Sequence, residues 1–179
     1  MILETARLVL RPWREDDAED LFLYASDDTV GSAADWAPHK SVDESREIIR
    51  TVFADENVFA VTLRSDGRAI GCAGVLRGAA AGLPLGDREG EIGYWLGVPF
   101  WGRGFTTEAV HELVRYSFEC LGLTALWCRS FEENVRSRRV QEKCGFRYQH
   151  TTDRKPCALT NETRAERITR LTREEWCGM

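Results

Sequence analysis

No C-x-x-C pair occurs among the six cysteines of this 179-residue chain, and its three histidines, His39, His111 and His150, lie far apart. A zinc framework, which draws closely spaced cysteine and histidine ligands together, therefore has no material here, and no metal is expected. The even cysteine count leaves a disulfide scaffold to consider. Cys72 and Cys128, however, sit inside apolar, strand-like runs, where a free thiol serves as a small core residue. Reduced thiols are the expectation. Long apolar runs are missing as well: none approaches the ~18–20 residues of a membrane span. The opening Met1-Ile2-Leu3-Glu4 leads into charged residues instead of an apolar signal core, so a cytoplasmic location is expected over secretion. Nor is there a basic excess. With 24 Lys+Arg against 29 Asp+Glu the net charge is −5, which argues against direct binding to nucleic acid. What is present, 43% hydrophobic and 10% aromatic residues, is enough for a buried core and rules out a largely disordered chain. The length fits a single domain, residues 1–179.

Leu8-Val-Leu-Arg-Pro-Trp13 reads as a strand ended by proline. Glu15-Asp16-Asp17 opens a helix through Leu21, Phe22 and Tyr24, its carboxylates suiting the positive end of the helix dipole. Residues 27–40 read as a loop, and Ser41 with Glu44 resembles a capping box for a second helix. Two apolar runs, 58–63 and 69–76, are strands joined by a hairpin turn at Ser65-Asp66-Gly67. Residues 78–86 form an Ala/Gly/Leu/Pro loop. A strand over 91–96, a helix from about Thr106 to Leu121, a strand over 125–129, a helix over 135–144 and strands over 146–151 and 166–171 complete the chain. A meander followed by alternating helices and strands argues for an α/β or α+β fold with a mixed sheet and helices on both faces.

Two windows carry the chemistry. In Glu91–Ala109 a strand leads into a glycine-punctuated turn that opens a helix. Gly102 and Gly104 permit a tight bend, and the first helical amides lack internal partners, so the window reads either as a plain strand–helix connection with helpful glycines or as a phosphate site that needs no basic side chain. Arg103 adds one. No Gly-Lys-Ser/Thr follows, so this is not a nucleotide P-loop, and Thr107 stands where the dinucleotide fingerprint has its third glycine. In Asn134–Phe146, Asn134 is placed as a helix N-cap and Gly145 just past the helix, with Asn134, Ser137 and Gln141 near one face.

Together the windows resemble the GNAT superfamily of acyl-CoA-dependent N-acetyltransferases, in the branch typified by ribosomal-protein N-acetyltransferases. The likeness lies in Trp101-Gly-Arg-Gly-Phe-Thr-Thr-Glu-Ala109, in Asn134-x-x-Ser137 with Lys143-Cys-Gly-Phe146, and in the opening Thr5-x-Arg7-Leu8-x-Leu10-Arg11 and closing Leu171-Thr-Arg-Glu-Glu-Trp176. Trp101 stands where the wider superfamily has Arg or Gln, and Thr106 where Ala or Gly is usual.

The resemblance implies a mixed, mostly antiparallel twisted sheet with a splayed central strand pair. It implies acetyl-CoA as cosubstrate and direct attack by a primary amine on the thioester. Backbone at Leu96 and Val98 would hold the pantetheine arm and polarise the carbonyl. Gly102, Arg103, Gly104, Phe105, Thr106 and Thr107 would bind the pyrophosphate, and Asn134 would contact the pantetheine. Ser137 would sit near the departing sulfur as proton donor, and Glu91 is the candidate base, through a water. A strand-end carboxylate paired with an arginine is the alternative for Glu91. The acceptor, a protein N-terminus or a small-molecule amine, stays open, as does a homodimer. The stretches 30–40, 78–88 and 154–164 would build its cleft. The rival readings are a CoA-binding sensor or partner module without turnover and, within the enzyme class, an antibiotic-modifying acetyltransferase.

Overall fold

A computed structural model describes residues 1–157 and 162–178. In chain order the elements are β1 (Leu3–Glu4), β2 (Leu8–Pro12), α1 (Ala18–Ala25), α2 (Asp28–Ala34), α3 (Val42–Thr51), β3 (Val58–Leu63), β4 (Ala69–Leu76), β5 (Glu89–Leu96) and α4 (Phe105–Glu119). There follow β6 (Ala125–Phe131), α5 (Val135–Lys143), β7 (Arg147–Thr151), β8 (Lys155–Pro156), β9 (Thr163–Arg164), β10 (Glu166–Thr172) and α6 (Arg173–Cys177). The fold is mixed α/β. Packing sorts the chain into two compact units, residues 1–74 with 94–109 and residues 75–93 with 110–179.

In the first unit the strands lie in the order β1-β2-β3-β4-β5. The first four form an antiparallel meander with Leu10 opposite Val61 and Leu8 opposite Leu63. Leu8 and Leu10 are fully buried while Val9 and Arg11 face partly outward, as period-two alternation requires. The hairpin turn at 65–67 is present, closed by Leu63 and Arg68, with Gly67 at φ +74°. Ala18, Leu21 and Ala25 of α1 and Ile49 of α3 form a buried cluster, flanked by Trp13, Trp36, Val42, Phe53 and Trp95. The acidic run opens a helix as its carboxylates predict, with Asp17 at the N-cap of α1 and only the first turn not α-helical. A short 3₁₀ turn, Glu15–Asp17, precedes α1, and the buried Asp17 carboxylate takes both arms of Arg11 at 2.7 Å. Ser41 caps α3 by accepting from the Glu44 amide, but Glu44 returns to the Lys40 amide, so only half of the expected box forms. Nearby, buried His39 holds buried Ser45 through Nδ1 at 2.8 Å.

The expected loop over 27–40 needs correction: it contains α2. Asp27 caps that helix by accepting from the Thr29 amide at 2.8 Å. Its sequence, Asp-Thr-Val-Gly-Ser-Ala-Ala, offers no apolar stripe to read. Gly31 fits because a Cβ there would stand 2.5 Å from the Trp36 carbonyl.

In the second unit the order is β5-β6-β10-β7. β10 pairs antiparallel with both neighbours, whereas β5 and β6 run parallel. Leu113, Phe118, Leu123, Leu126, Ile168 and Leu171 are buried to 1% exposure or less. The closing helix α6, which patterning did not signal, is capped reciprocally by Thr172 and Glu175. Part of the stretch 154–164 proposed for the acceptor lies outside the described residues.

Candidate functional site

The turn after β5 is held by its own side chains. Val98–Phe100 forms a 3₁₀ turn, and the Trp101 indole N–H donates to the Leu96 carbonyl at 2.7 Å. That bond gives Trp101 a structural reason to stand in the motif. It also means that the Leu96 carbonyl, a sequence candidate for holding the pantetheine arm, already has one donor. Val98 is exposed at the start of the 3₁₀ turn. Gly71 on β4 admits the end of β5: a Cβ there would lie 2.2 Å from the Trp95 carbonyl.

Gly102 and Gly104 both adopt positive φ, +72° and +81°, and α4 begins at Phe105. These values lie in the left-handed region where a side chain is strained. The first helical bond beyond the turn runs from the Glu108 amide to the Gly104 carbonyl at 3.0 Å. The amides of Phe105 and Thr106 precede that bond and stand at the positive end of the helix dipole. Phe105 is buried, and Thr106 and Thr107 are half-buried. Arg103 lies over the Phe105 ring at 5.1 Å, a position from which its charge stays beside the turn.

Glu108, on the first turn of α4, accepts from the Thr5 hydroxyl at 2.6 Å and from the Arg7 backbone and guanidinium at 2.8 and 2.7 Å. Partial burial raises its proton affinity. The Thr5 and Arg7 bonds and the Arg7 charge more than offset that and hold its pKa below the usual carboxylate value.

In the second unit the parallel pairing of β5 with β6 covers three residue pairs, Glu89–Ala125 to Glu91–Trp127, and stops there while both strands continue. Asn134 caps α5, its side-chain oxygen accepting from the Ser137 amide at 3.1 Å. Ser137 Oγ accepts from the Gln141 amide at 3.2 Å. Gln141 is 1% exposed and reaches Ser130 Oγ at 3.3 Å, while its oxygen accepts from Thr169 at 3.0 Å. A buried amide with partners at both ends is fixed in place, and it fixes Ser137 in turn.

Glu91 is buried and doubly engaged. One oxygen accepts from Arg129 Nε at 2.7 Å and the other from the Gly82 amide at 2.7 Å. Arg129 also meets Glu166 at 3.1 Å, and a Cβ on Gly82 would stand 2.3 Å from the guanidinium. The loop over 78–86 is thus tied to β5 at Gly82.

Residues 7–147 match the acetyltransferase (GNAT) domain family. The chain belongs to the GNAT family. It is 30% identical over 152 residues to the uncharacterized N-acetyltransferase p20 of Bacillus licheniformis, covering 80% of this chain and 81% of the relative. Over 110 residues it is 34% identical to YdaF of Bacillus subtilis, whose name gives ribosomal N-acetyltransferase as an unproven activity. That match spans 59% of this chain and 57% of the relative. In fold it resembles a GNAT-family acetyltransferase crystal structure from Bacillus anthracis, with TM-score 0.85, 22% identity and coverage of 97% and 99%.

As a GNAT acetyltransferase, the protein belongs to a family that uses acetyl-CoA. The short β5–β6 ladder accords with the splay expected of that family's central pair. The turn before α4 is tight, as its glycine spacing indicated, with each positive φ at a glycine. The partners of the site residues were not legible. Arg7 and Glu108 are about a hundred residues apart, and so are not linked by any local pattern. The same holds for Arg129 and Glu91. Gln141 did carry a signal, since it falls one helical turn beyond Ser137.

Proposed function

We propose that this GNAT acetyltransferase moves an acetyl group from acetyl-CoA to a primary amine by direct attack, and that residues 102–107 take the CoA pyrophosphate. The observation that carries the reading is the turn itself. Two glycines at positive φ open a helix at Phe105, so that its N-terminus, with the Phe105 and Thr106 amides, lies beside Arg103. Such amides bind an anion through fixed partial charges without needing a mobile cation. The chain's own contribution to the reaction is then positioning: the turn binds the diphosphate, and the backbone at Leu96 and Val98 holds the acyl arm and polarises its carbonyl.

In the same reading Asn134 contacts the pantetheine and Ser137 returns a proton to the leaving sulfur. The support for Ser137 is its bond from Gln141. That bond fixes where the serine oxygen stands. Glu91 is the candidate base. Against that role stands its access, because the side chain is 4% exposed and both oxygens hold donors. These contacts support the pairing role instead. The acceptor is a protein N-terminus or a small-molecule amine in the cytoplasm.

The test is to incubate the protein with acetyl-CoA and a panel of amino-terminal peptides, polyamines and aminoglycosides. Free thiol release would be followed, with mass spectrometry of the products. Acetylated product with stoichiometric thiol supports the reading. CoA binding without turnover on any amine would favour the sensor alternative, and an aminoglycoside product would make the protein an antibiotic-modifying enzyme.

A further inference from the structure

We propose that Arg7 is a positioning residue for the phosphate turn, holding the Arg103 carbonyl so that the Gly104 amide faces the CoA diphosphate. The proposal rests on the reading of that turn as the CoA site. Arg7 Nη1 donates to the Arg103 carbonyl at 3.0 Å. The peptide joining Arg103 to Gly104 is trans, and in a planar trans peptide the C=O and N–H point in opposite directions. Pinning the carbonyl toward Arg7 therefore turns the Gly104 N–H away from it. Among the described residues no acceptor meets the amides of Gly102, Arg103 or Gly104, so these donors remain available to a ligand.

Arg7 is itself held on three sides. Its Nε and its backbone N–H both donate to the Glu108 carboxylate, and its guanidinium lies 4.4 Å over the Phe105 ring. This pairing has a second consequence. Glu108 stands on the first turn of α4, where a bare carboxylate would repel an incoming diphosphate. Neutralised by Arg7, it no longer competes with the anion for the amides. The planar fork of arginine bonds the carboxylate and the carbonyl and stacks on the ring at once, whereas a lysine ammonium is a point charge that cannot do all three.

The test compares binding of CoA, by calorimetry, with binding of pantetheine, which lacks the diphosphate, by NMR titration on the full chain. Arg7→Ala should weaken CoA about tenfold, the scale of one lost charge-assisted hydrogen bond, and leave pantetheine affinity unchanged. Arg7→Lys keeps the charge beside Glu108 but loses the carbonyl, and should fall between Arg7→Ala and the wild type. Wild-type CoA affinity in both folded variants would overturn the proposal. So would an equal loss for CoA and pantetheine, which would make Arg7 a general support of the fold. Should Arg7→Ala fail to fold, unchanged CoA affinity in Arg7→Lys would overturn it alone. If the wild-type protein binds no CoA, the reading of the turn itself fails, and that outcome is separate from any variant.

Discussion

Replacing Glu91 with glutamine separates the two roles open to this residue. Its carboxylate accepts two hydrogen bonds at 2.7 Å, one from the Arg129 guanidinium and one from the Gly82 amide. A glutamine offers one acceptor oxygen, so one bond is lost and an NH₂ group is set against a donor. Hydrogen bonds to charged groups contribute ~1.5–3 kcal/mol, and breaking a fully buried pair costs ~3–5 kcal/mol. Arg129 is 39% exposed and keeps Glu166, which places the expected loss at the lower end, about 2 kcal/mol. For a chain of this size about 1 kcal/mol moves the melting temperature by ~2–4 °C, so Glu91→Gln should melt roughly 4–8 °C lower. Thermal melts by circular dichroism give the stability, and a pH–rate profile on the same protein gives the chemistry. If Glu91 serves the pair, the variant should melt low, with the loop at Gly82 more open to proteolysis, and keep the acidic limb of its profile. An unchanged melt together with loss of that limb would refute the pairing argument and make Glu91 the base.

Ser137→Ala should lower kcat by ~10²–10⁴-fold with little change in acetyl-CoA affinity, whereas Asn134→Ala should cost ~0.5–2 kcal/mol through the lost cap; full turnover in Ser137→Ala would leave the serine a helix residue only. Gly102 and Gly104 share positive φ, and a Cβ at Gly102 meets nothing within 4 Å while one at Gly104 comes 3.4 Å from Arg7. Alanine should therefore destabilise each by ~1–2 kcal/mol through strain alone, with the larger loss of CoA affinity at Gly104, measured by melts and calorimetry. Cys120 and Cys177 are exposed and the other four cysteines buried, and burial pushes the Cys72 and Cys144 thiols up to about 12. A thiol reagent should label the two exposed cysteines in the native protein and all six after denaturation. Burial lowers the His39 pKa below its ordinary 6.5, against the opposing pull of Glu44. The neutral ring's contribution to stability is then present above about 6.5 and lost as pH falls through the lower folded value, and His39→Gln should flatten that part of the stability–pH curve.

Local chemistry in the sequence determined a good deal. Alternation placed Leu8 and Leu10 inside β2, and Gly67 marked the hairpin turn. Asn134 announced the start of α5, and the spacing of Gly102 and Gly104 announced the tight turn before α4, because a left-handed backbone has few residues to choose from. Those signals are short-range, as turns and caps are settled within a few residues. Helix α2 escaped because Val30 is its one large apolar side chain, too little to mark an apolar stripe. The tertiary structure alone decided which charges meet. Glu91 could be read as a free carboxylate or half of a pair until β6 set Arg129 beside it, and Arg7 read as a motif letter until folding brought it to Arg103 and Glu108. An ion pair is worth what its surroundings make of it, and those surroundings are assembled from segments far apart in the chain.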